Sequence, residues 1–327
     1  MLHEILSSNS WITPQIDYLV WLQNIRMHCG GILDTCFLSI TALGELLIPT
    51  MVICVIYWCV NANAGLYLFT LNSIGLLVAH FLKMVACIYR PWILSDRVKP
   101  IESALKMSGG YSFPSGHSSM ASTTWGGMAF LLRNKKILCT FIILMILLIG
   151  FSRTYVGVHT PQDVIVGISI GLIFVFFVHF LLKWCDKNKN RYIYSMICFS
   201  ILTVLASFYM INKPYPQDYV NGKLLVNPNH AIYLTILYSG WVMGMFNGAF
   251  LTKRFFPFDA KQGSLKNKII RALIGVFILL GTFCSLDKYL FNEIWSYPVA
   301  FLVMFGIGLF ITAIYPFIFT QINKMLK

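Results

Sequence analysis

Long apolar runs separated by short polar breaks dominate the chain. Crossing about 30 Å of hydrocarbon as an α-helix takes about 20 mostly apolar residues, and nine runs approach or exceed that length: 34–59, 64–85, 118–132, 137–151, 164–184, 192–211, 231–251, 269–286 and 295–319. The pattern predicts an all-α fold, a polytopic membrane helical bundle of about nine transmembrane helices. Ahead of the first run, Trp11 to Arg26 carries Ile16, Leu19, Val20, Leu22 and Ile25 at helical spacing, opened by Thr13-Pro14 as a cap followed by proline at the first helical position. This predicts an N-terminal interfacial helix with Trp11 and Trp21 at headgroup level. No basic stretch followed by a compact apolar one precedes it, so a cleaved signal peptide is not expected. No internal repeat stands out, which argues against an inverted-repeat transporter.

Composition agrees with that solvent. Apolar residues make up 57% and charged residues 11%, against roughly 45–50% and about 25% in soluble domains, which excludes disorder and an ordinary cytosolic enzyme. The net charge of +13 comes from 25 Lys+Arg against 12 Asp+Glu. These cations cluster between the apolar runs and form no basic stripe, so the excess reads as membrane topology and no nucleic-acid partner is expected. The breaks after the third, fifth and seventh runs, with the C-terminus, hold 15 cations, and the opposite side holds 10. Cytoplasmic loops are the positive ones, which puts the N-terminus outside and the C-terminus inside. The nine cysteines include no CxxC pair and fall mostly in apolar stretches, so neither a disulfide framework nor a zinc site is indicated.

Three polar stretches gather groups that lipid would exclude. The first is 83–91, where Lys83 and Arg90 lie seven residues apart, nearly two helical turns, and so face the same way if the helix continues. Snorkelling at the membrane edge explains the same pair. The second, 111–119, holds Pro114-Ser115-Gly116-His117. A small turn opening a helix presents unpaired N–H groups and a positive dipole end to an anion, with His117 placed to donate a proton; a plain N-cap is the simpler alternative. The third, 151–163, holds Ser152, Arg153, His159 and Asp163, with Thr160-Pro161 as a helix start. A carboxylate in that first turn can fix the histidine tautomer and leave the other ring nitrogen free as a nucleophile, while also completing a capping box with Thr160. All three stretches fall on the outer side of the topology above.

Together they resemble the tripartite signature KxxxxxxRP, PSGH and SRxxxxxHxxxD of the type 2 phosphatidic acid phosphatase superfamily, matched at Lys83, Arg90, Pro91, Pro114, Ser115, Gly116, His117, Ser152, Arg153, His159 and Asp163. The resemblance to that core covers about 64–185. It implies an integral membrane phosphatase, metal- and cofactor-independent, acting on a lipid phosphate monoester or diphosphate: an isoprenoid diphosphate such as undecaprenyl diphosphate, a phosphatidate-like lipid, phosphatidylglycerophosphate or a sphingoid phosphate. It also implies that His159 attacks phosphorus to form a phosphohistidine, Asp163 stabilises its ring, and His117 protonates the leaving oxygen and then activates water. Lys83, Arg90, Arg153, Ser115 and the N–H of Gly116 would bind the phosphate. The nine-span layout is similar to glucose-6-phosphatase and related bacterial membrane phosphatases.

Arg97, Lys99 and Lys106, in the outer loop between the first two stretches, are candidates for a second phosphate or headgroup, or a solvated face. Glu45 and His80 are ionisable groups at membrane depth, which suggests a role or a buried partner. The expected division is 1–33 as an N-terminal segment, 34–185 as the phosphatase core and 186–327 as further spans without a motif of their own. A lipid phosphotransferase or sugar-phosphate phosphatase would use the same residues, and a transporter would need none of them. Extracytoplasmic chemistry at the plasma membrane, or lumenal chemistry at an internal one, follows from the topology. Oligomeric state is left open.

Overall fold

A computed structural model describes residues 11–105, 108–220, 222–290 and 295–325. The described chain is helical apart from one two-residue antiparallel pair, β1 (Tyr219–Val220) and β2 (Lys223–Leu224). The helices are α1 (Thr13–His28), α2 (Asp34–Ala42), α3 (Leu47–Val55), α4 (Ala62–Ala86), the single turns α5 (Pro91–Leu94) and α6 (Glu102–Leu105), α7 (Gly116–Leu131), α8 (Lys136–Tyr155), α9 (Pro161–Asp186), α10 (Asn190–Asn212), α11 (Pro228–Phe255), α12 (Leu265–Leu290), α13 (Tyr297–Leu309) and α14 (Tyr315–Met325). Every predicted run has its helix. Among the described residues seven helices are long and apolar enough to cross a membrane, or up to eight if the interrupted first run, α2 with α3, counts as one.

The third predicted run, 118–132, became α7, whose 16 residues rise about 24 Å, short of a hydrocarbon core. Its composition explains its place. Every residue from Ser118 to Gly127 is buried, so α7 meets protein on all sides and needs small residues for close approach where lipid-facing helices need large apolar ones. By contrast, α8 shows Ile137, Phe141, Leu144 and Leu148 outward and buries Ile142, Ile146 and Ile149.

The chain forms two compact units that do not follow its order. One takes in the chain up to Leu46, Val78–Leu172 and Lys213–Ala231; the other takes in Leu47–Leu77, Ile173–Asn212 and Ile232–Lys327. All three motif stretches lie in the first unit.

In the first unit, glycines let the start of α9 pack closely on α7 and on α8. A Cβ at Gly167 would come within 2.6 Å of the Ser115 carbonyl oxygen, one at Gly150 within 2.8 Å of Val164, and one at Gly171 would overlap the Ser122 side chain. Phe37 of α2 packs its ring on Tyr155 of α8 at 4.2 Å between centroids, and the Tyr155 hydroxyl donates to Asp34 Oδ1 at 2.9 Å. Helix α1 starts one residue earlier than a cap at Thr13 would give: Ile12 is its N-cap and caps without a side-chain bond. Its inner face, Ile16 and Leu19 with Ile12, packs on Leu94 and Val98, while Trp11 and Trp21 stay exposed.

In the second unit, π-helical turns at Ile56–Val60 and Phe310–Ile314 leave carbonyls without regular partners. Side chains supply them: Trp58 Nε1 donates to the Ile311 carbonyl at 2.9 Å, and the Tyr57 and Thr252 hydroxyls donate to that of Thr312 at 3.0 and 2.8 Å. The buried Arg271 donates to the Trp58 carbonyl at 2.9 Å and lies over the Phe319 ring.

The glycine contacts yield a stability prediction. Gly167→Ala should lower stability by about 1–3 kcal/mol through overpacking, read as thermal unfolding in lipid nanodiscs, and Gly171→Val should cost more. Gly306→Ala, where a Cβ meets nothing within 4 Å, should stay within about 0.5 kcal/mol of the parent. Equal effects at all three positions would contradict close packing at α7.

Candidate active site

The first stretch reaches the site by a different route from the expected continuous helix. Helix α4 ends at Ala86, Cys87 has a left-handed φ of 50°, and Arg90 is extended, with φ −68° and ψ 151°. Pro91 enforces the extended form, because its ring disfavours helical backbone in the residue before it. Lys83 and Arg90 still converge, brought together by a turn instead of a shared helix face. Lys83 directs all three ammonium N–H groups to carbonyls of the second stretch, those of Tyr111, Ser112 and Pro114, each at 2.9 Å. Arg90 donates to the carbonyls of Gly110 at 3.2 Å, Gly109 at 3.1 Å and Val158 at 3.1 Å.

The third stretch is shaped by the end of α8. Gly157 has φ +79°, a conformation that favours glycine, and the N–H groups of Val158 and His159 fold back to the Arg153 carbonyl at 3.2 and 3.3 Å. This reversal buries His159 beside Arg90, whose Nη1 lies 2.8 Å from His159 Nε2. Arginine offers no acceptor, so Nε2 must carry the lone pair, which assigns the ring proton to Nδ1. Nδ1 lies 3.3 Å from Asp163 Oδ2. That same carboxylate oxygen accepts from the Thr160 N–H at 2.8 Å and the Ser112 hydroxyl at 2.6 Å. The Asp163 N–H donates to Thr160 Oγ1 at 3.3 Å, so the capping box and the histidine contact coexist.

The second stretch is tied to both others. The Ser112 N–H donates to the Ile88 carbonyl at 2.7 Å, and the Ser115 N–H to the Asp163 carbonyl at 3.0 Å. Ser115 caps α7, its hydroxyl accepting from the Ser118 N–H at 3.3 Å and the Ser118 hydroxyl at 2.9 Å. A Cβ at Gly116 would meet nothing within 4 Å, so there is open room at this helix start. His117 follows in the first turn. Its Nε2 is buried without a hydrogen-bond partner, 3.8 Å from Glu45 Oε1.

Arg153 is 1% exposed. Its Nη1 donates to Thr41 Oγ1 at 2.7 Å and its Nη2 to Ser108 Oγ at 3.2 Å, while Nε is buried with no partner. The described partners of Lys83, Arg90 and Arg153 are thus neutral. Burial, then the neighbouring Arg90, Lys83 and Arg153, hold the His159 imidazole well below its ordinary pKa, so the ring is neutral at physiological pH.

The structure gathers Lys83, Arg90, Ser115, Gly116, His117, Arg153, His159 and Asp163 in one unit. It does not bring in the other candidates equally. Arg97 pairs with Asp17 of α1 at 2.8 Å on the surface, and the Lys99 backbone N–H is held by Gln23 at 2.6 Å; Lys106 lies outside the described residues. Sequence reasoning passed over Thr41, Ser108 and Ser112, ordinary hydroxyl residues whose partners are distant in the chain. It also missed the segment after α10. Lys213 donates to the Met84 carbonyl at 2.6 Å and to Cys87 Sγ at 3.2 Å, and the Tyr89 hydroxyl donates to Asp218 at 2.6 Å, so this segment braces the turn between Lys83 and Arg90. A lysine and an acid in a loop gave no signal beyond charge.

Comparison with known proteins matches residues 63–187 to the PAP2 superfamily and 236–326 to the PAP2 superfamily phosphatase transmembrane extension. Phosphatidylglycerophosphatase B of Bacillus subtilis is 31% identical over 167 residues, which cover 47% of this chain and 75% of that protein. The chain belongs to the PAP2 superfamily. An undecaprenyl-diphosphatase of Sulfolobus acidocaldarius is 44% identical over 61 residues, 19% of this chain and 29% of that protein. The undecaprenyl-diphosphatase BcrC of Bacillus subtilis is 32% identical over 122 residues, 36% of this chain and 60% of that protein. For these two, the chain covers less than two thirds of the relative's length. No solved structure matches. With its membrane-crossing helices and its transmembrane extension, this PAP2 protein is a multi-pass membrane phosphatase.

The neutral imidazole sets a pH dependence. An unfolded-chain histidine titrates near about 6.5; above that pH both states are neutral, and below it only the unfolded state gains the proton. Stability from His159 is therefore lost as pH falls below about 6.5. The melting temperature should drop between pH 7.5 and 5.0, and the drop should be shallower in His159→Gln. An unchanged slope would mean that the ring is not held neutral.

Proposed function

We propose that this PAP2 protein hydrolyses a phosphate monoester or diphosphate of a lipid through a phosphohistidine on His159, at the extracytoplasmic face of the plasma membrane. The observation that carries this reading is the His159 ring: Nδ1 toward Asp163, and a lone-pair nitrogen aimed among Arg90, Arg153 and Lys83. A phosphate monoester brings close to two negative charges, and its transfer is helped chiefly by positioning and by neutralising its oxygens. Arg90 would pass its Nη1 hydrogen bond from His159 Nε2 to a phosphoryl oxygen, and the orphan Nε–H of Arg153 and the Gly116 N–H would take others. Ser115 would set the helix start that presents that N–H. Lys83 would add charge while holding the 111–114 turn.

In the first step Nε2 attacks phosphorus, the bond to the leaving oxygen breaks, and His117 gives that oxygen a proton. In the second, water attacks the phosphohistidine, His117 takes the water's proton, and phosphate leaves with Nε2 restored. Asp163 stabilises the ring while it carries the phosphoryl group.

The names of the relatives support a lipid phosphate or diphosphate substrate. The loop cations support an outside N-terminus and a cytoplasmic C-terminus, with the motif stretches on the outer side. Within this reading, residues 34–185 form the phosphatase core, 186–327 add spans, and 1–33 hold the interfacial helix.

The test is phosphate release by the full chain in lipid nanodiscs with EDTA present, across lipid monophosphates, isoprenoid diphosphates and glucose 6-phosphate. Release from a lipid substrate should fall at least about 10³-fold in His159→Ala, and brief mixing with labelled substrate should trap an acid-labile phosphoenzyme in the parent only. A folded His159→Ala protein that releases phosphate at the parent rate would refute the assignment. Selective release from glucose 6-phosphate would move the substrate out of the lipid class, and transfer to an added lipid alcohol would make the enzyme a phosphotransferase.

A further inference from the structure

We propose that Glu45, in the break between α2 and α3, is the counter-charge of His117: it orients that ring and keeps on it the proton destined for the leaving oxygen. The inference rests on the acid role assigned to His117 above. Its grounds are four contacts, all from residues 41–45 and all outside the stretch that matches the PAP2 superfamily.

The break is built against the site. A Cβ at Gly44 would come within 2.9 Å of the His117 carbonyl oxygen and 3.3 Å of its Cβ, so only glycine lets the chain pass this close. The Trp125 Nε1–H of α7 donates to the Leu43 carbonyl at 3.0 Å, which anchors the break to the helix that carries His117. Thr41 accepts from Arg153 at 2.7 Å. Glu45 Oε1 then lies 3.8 Å from His117 Nε2, a buried ring nitrogen with no hydrogen-bond partner.

Charge gives the contact its meaning. The groups that face His117 are Lys83 and Arg90 from the first stretch, Arg153 from α8, His159 from the following turn, and Glu45 from the break. Of these Glu45 alone is acidic, while Asp163 is committed to His159. Burial, then Arg153, His159, Arg90 and Lys83, hold the free His117 ring well below its ordinary pKa, so it can serve as a general acid only if an anion closes on it. At 3.8 Å the pair is beyond hydrogen-bond length but within strong Coulombic reach, and catalytic hydrogen bonds often tighten only once substrate is bound. The Glu45 side chain is 30% exposed, so it has room to close on the ring.

The test compares two leaving groups. An alkyl lipid phosphate needs its leaving oxygen protonated, whereas p-nitrophenyl phosphate departs as a stable phenolate. Read as kcat/KM, which reports only the step that forms the phosphohistidine, Glu45→Gln should lose about tenfold or more on the lipid phosphate, within the range that general acids contribute, and stay within about twofold on p-nitrophenyl phosphate. The basic limb of its kcat/KM profile on the lipid should move about one unit toward acid. Glu45→Asp, which keeps the charge, should recover part of both. His117→Ala runs alongside. If it lowers both substrates equally, the acid assignment fails and this inference with it; if it discriminates while Glu45→Gln lowers both equally, Glu45 is structural and this inference alone is overturned. Should Glu45→Gln not fold, Glu45→Asp must show a milder form of the same discrimination, and a uniform loss there overturns the proposal.

Discussion

One carboxylate oxygen holds the site together. Asp163 Oδ2 receives the Thr160 N–H, the Ser112 hydroxyl and the His159 ring nitrogen at 2.8, 2.6 and 3.3 Å. Those donors come from the start of α9, the turn ahead of α7 and the turn after α8. A buried carboxylate is costly unless its lone pairs are engaged, so three segments must sit in one arrangement for this oxygen to be satisfied. The position in the first turn of α9 adds the favourable end of a helix dipole. Helix start, histidine tautomer and the docking of the second stretch are therefore one structural decision.

The close packing of α7 serves the same arrangement. Gly167 and Gly171 let α9 approach it, and Gly150 lets α9 approach α8, which brings Ser115 to the Asp163 carbonyl at 3.0 Å. Bulk at those positions would separate the helix that carries Ser115 and His117 from the helix that carries Asp163. A membrane interior rewards this solution, since helix association there relies on packing and hydrogen bonds instead of the expulsion of water.

Much of this was legible in the chain. Apolar run length located each helix of the nine runs, and Thr160-Pro161 with Asp163 three residues past the cap announced both the helix start and the histidine partner. What could not be read was how separate segments meet. The helical-face argument for Lys83 and Arg90 reached the correct convergence by the wrong geometry, because periodicity cannot see Cys87 leave the helix with a positive φ. Thr41, Ser108 and Ser112 are common residues whose importance lies in what faces them across more than forty positions of sequence. Lys213 braces the first stretch from 129 residues away. Arg97 shows the converse: its charge and its place in the outer loop suggested a ligand, and it meets Asp17 instead.

The way the cations are satisfied bears on what the site can bind. Buried donors must be paired, and the usual partners for buried guanidinium and ammonium groups are carboxylates, which would cancel the charge. Here Lys83 is held by three carbonyls, Arg90 by three carbonyls and a neutral imidazole, and Arg153 by two hydroxyls. Neutral acceptors fix the geometry of each cation and leave its positive charge uncancelled, so the site retains a field that a doubly charged phosphate can neutralise. The two nearby carboxylates lie against the two histidines, Asp163 at 3.3 Å from His159 and Glu45 at 3.8 Å from His117, while their charge also acts on Arg90, Lys83 and Arg153. That division suits phosphoryl transfer: cations for the oxygens, and a carboxylate beside each ring. A binding protein for phosphate would need the first half of this arrangement and not the second.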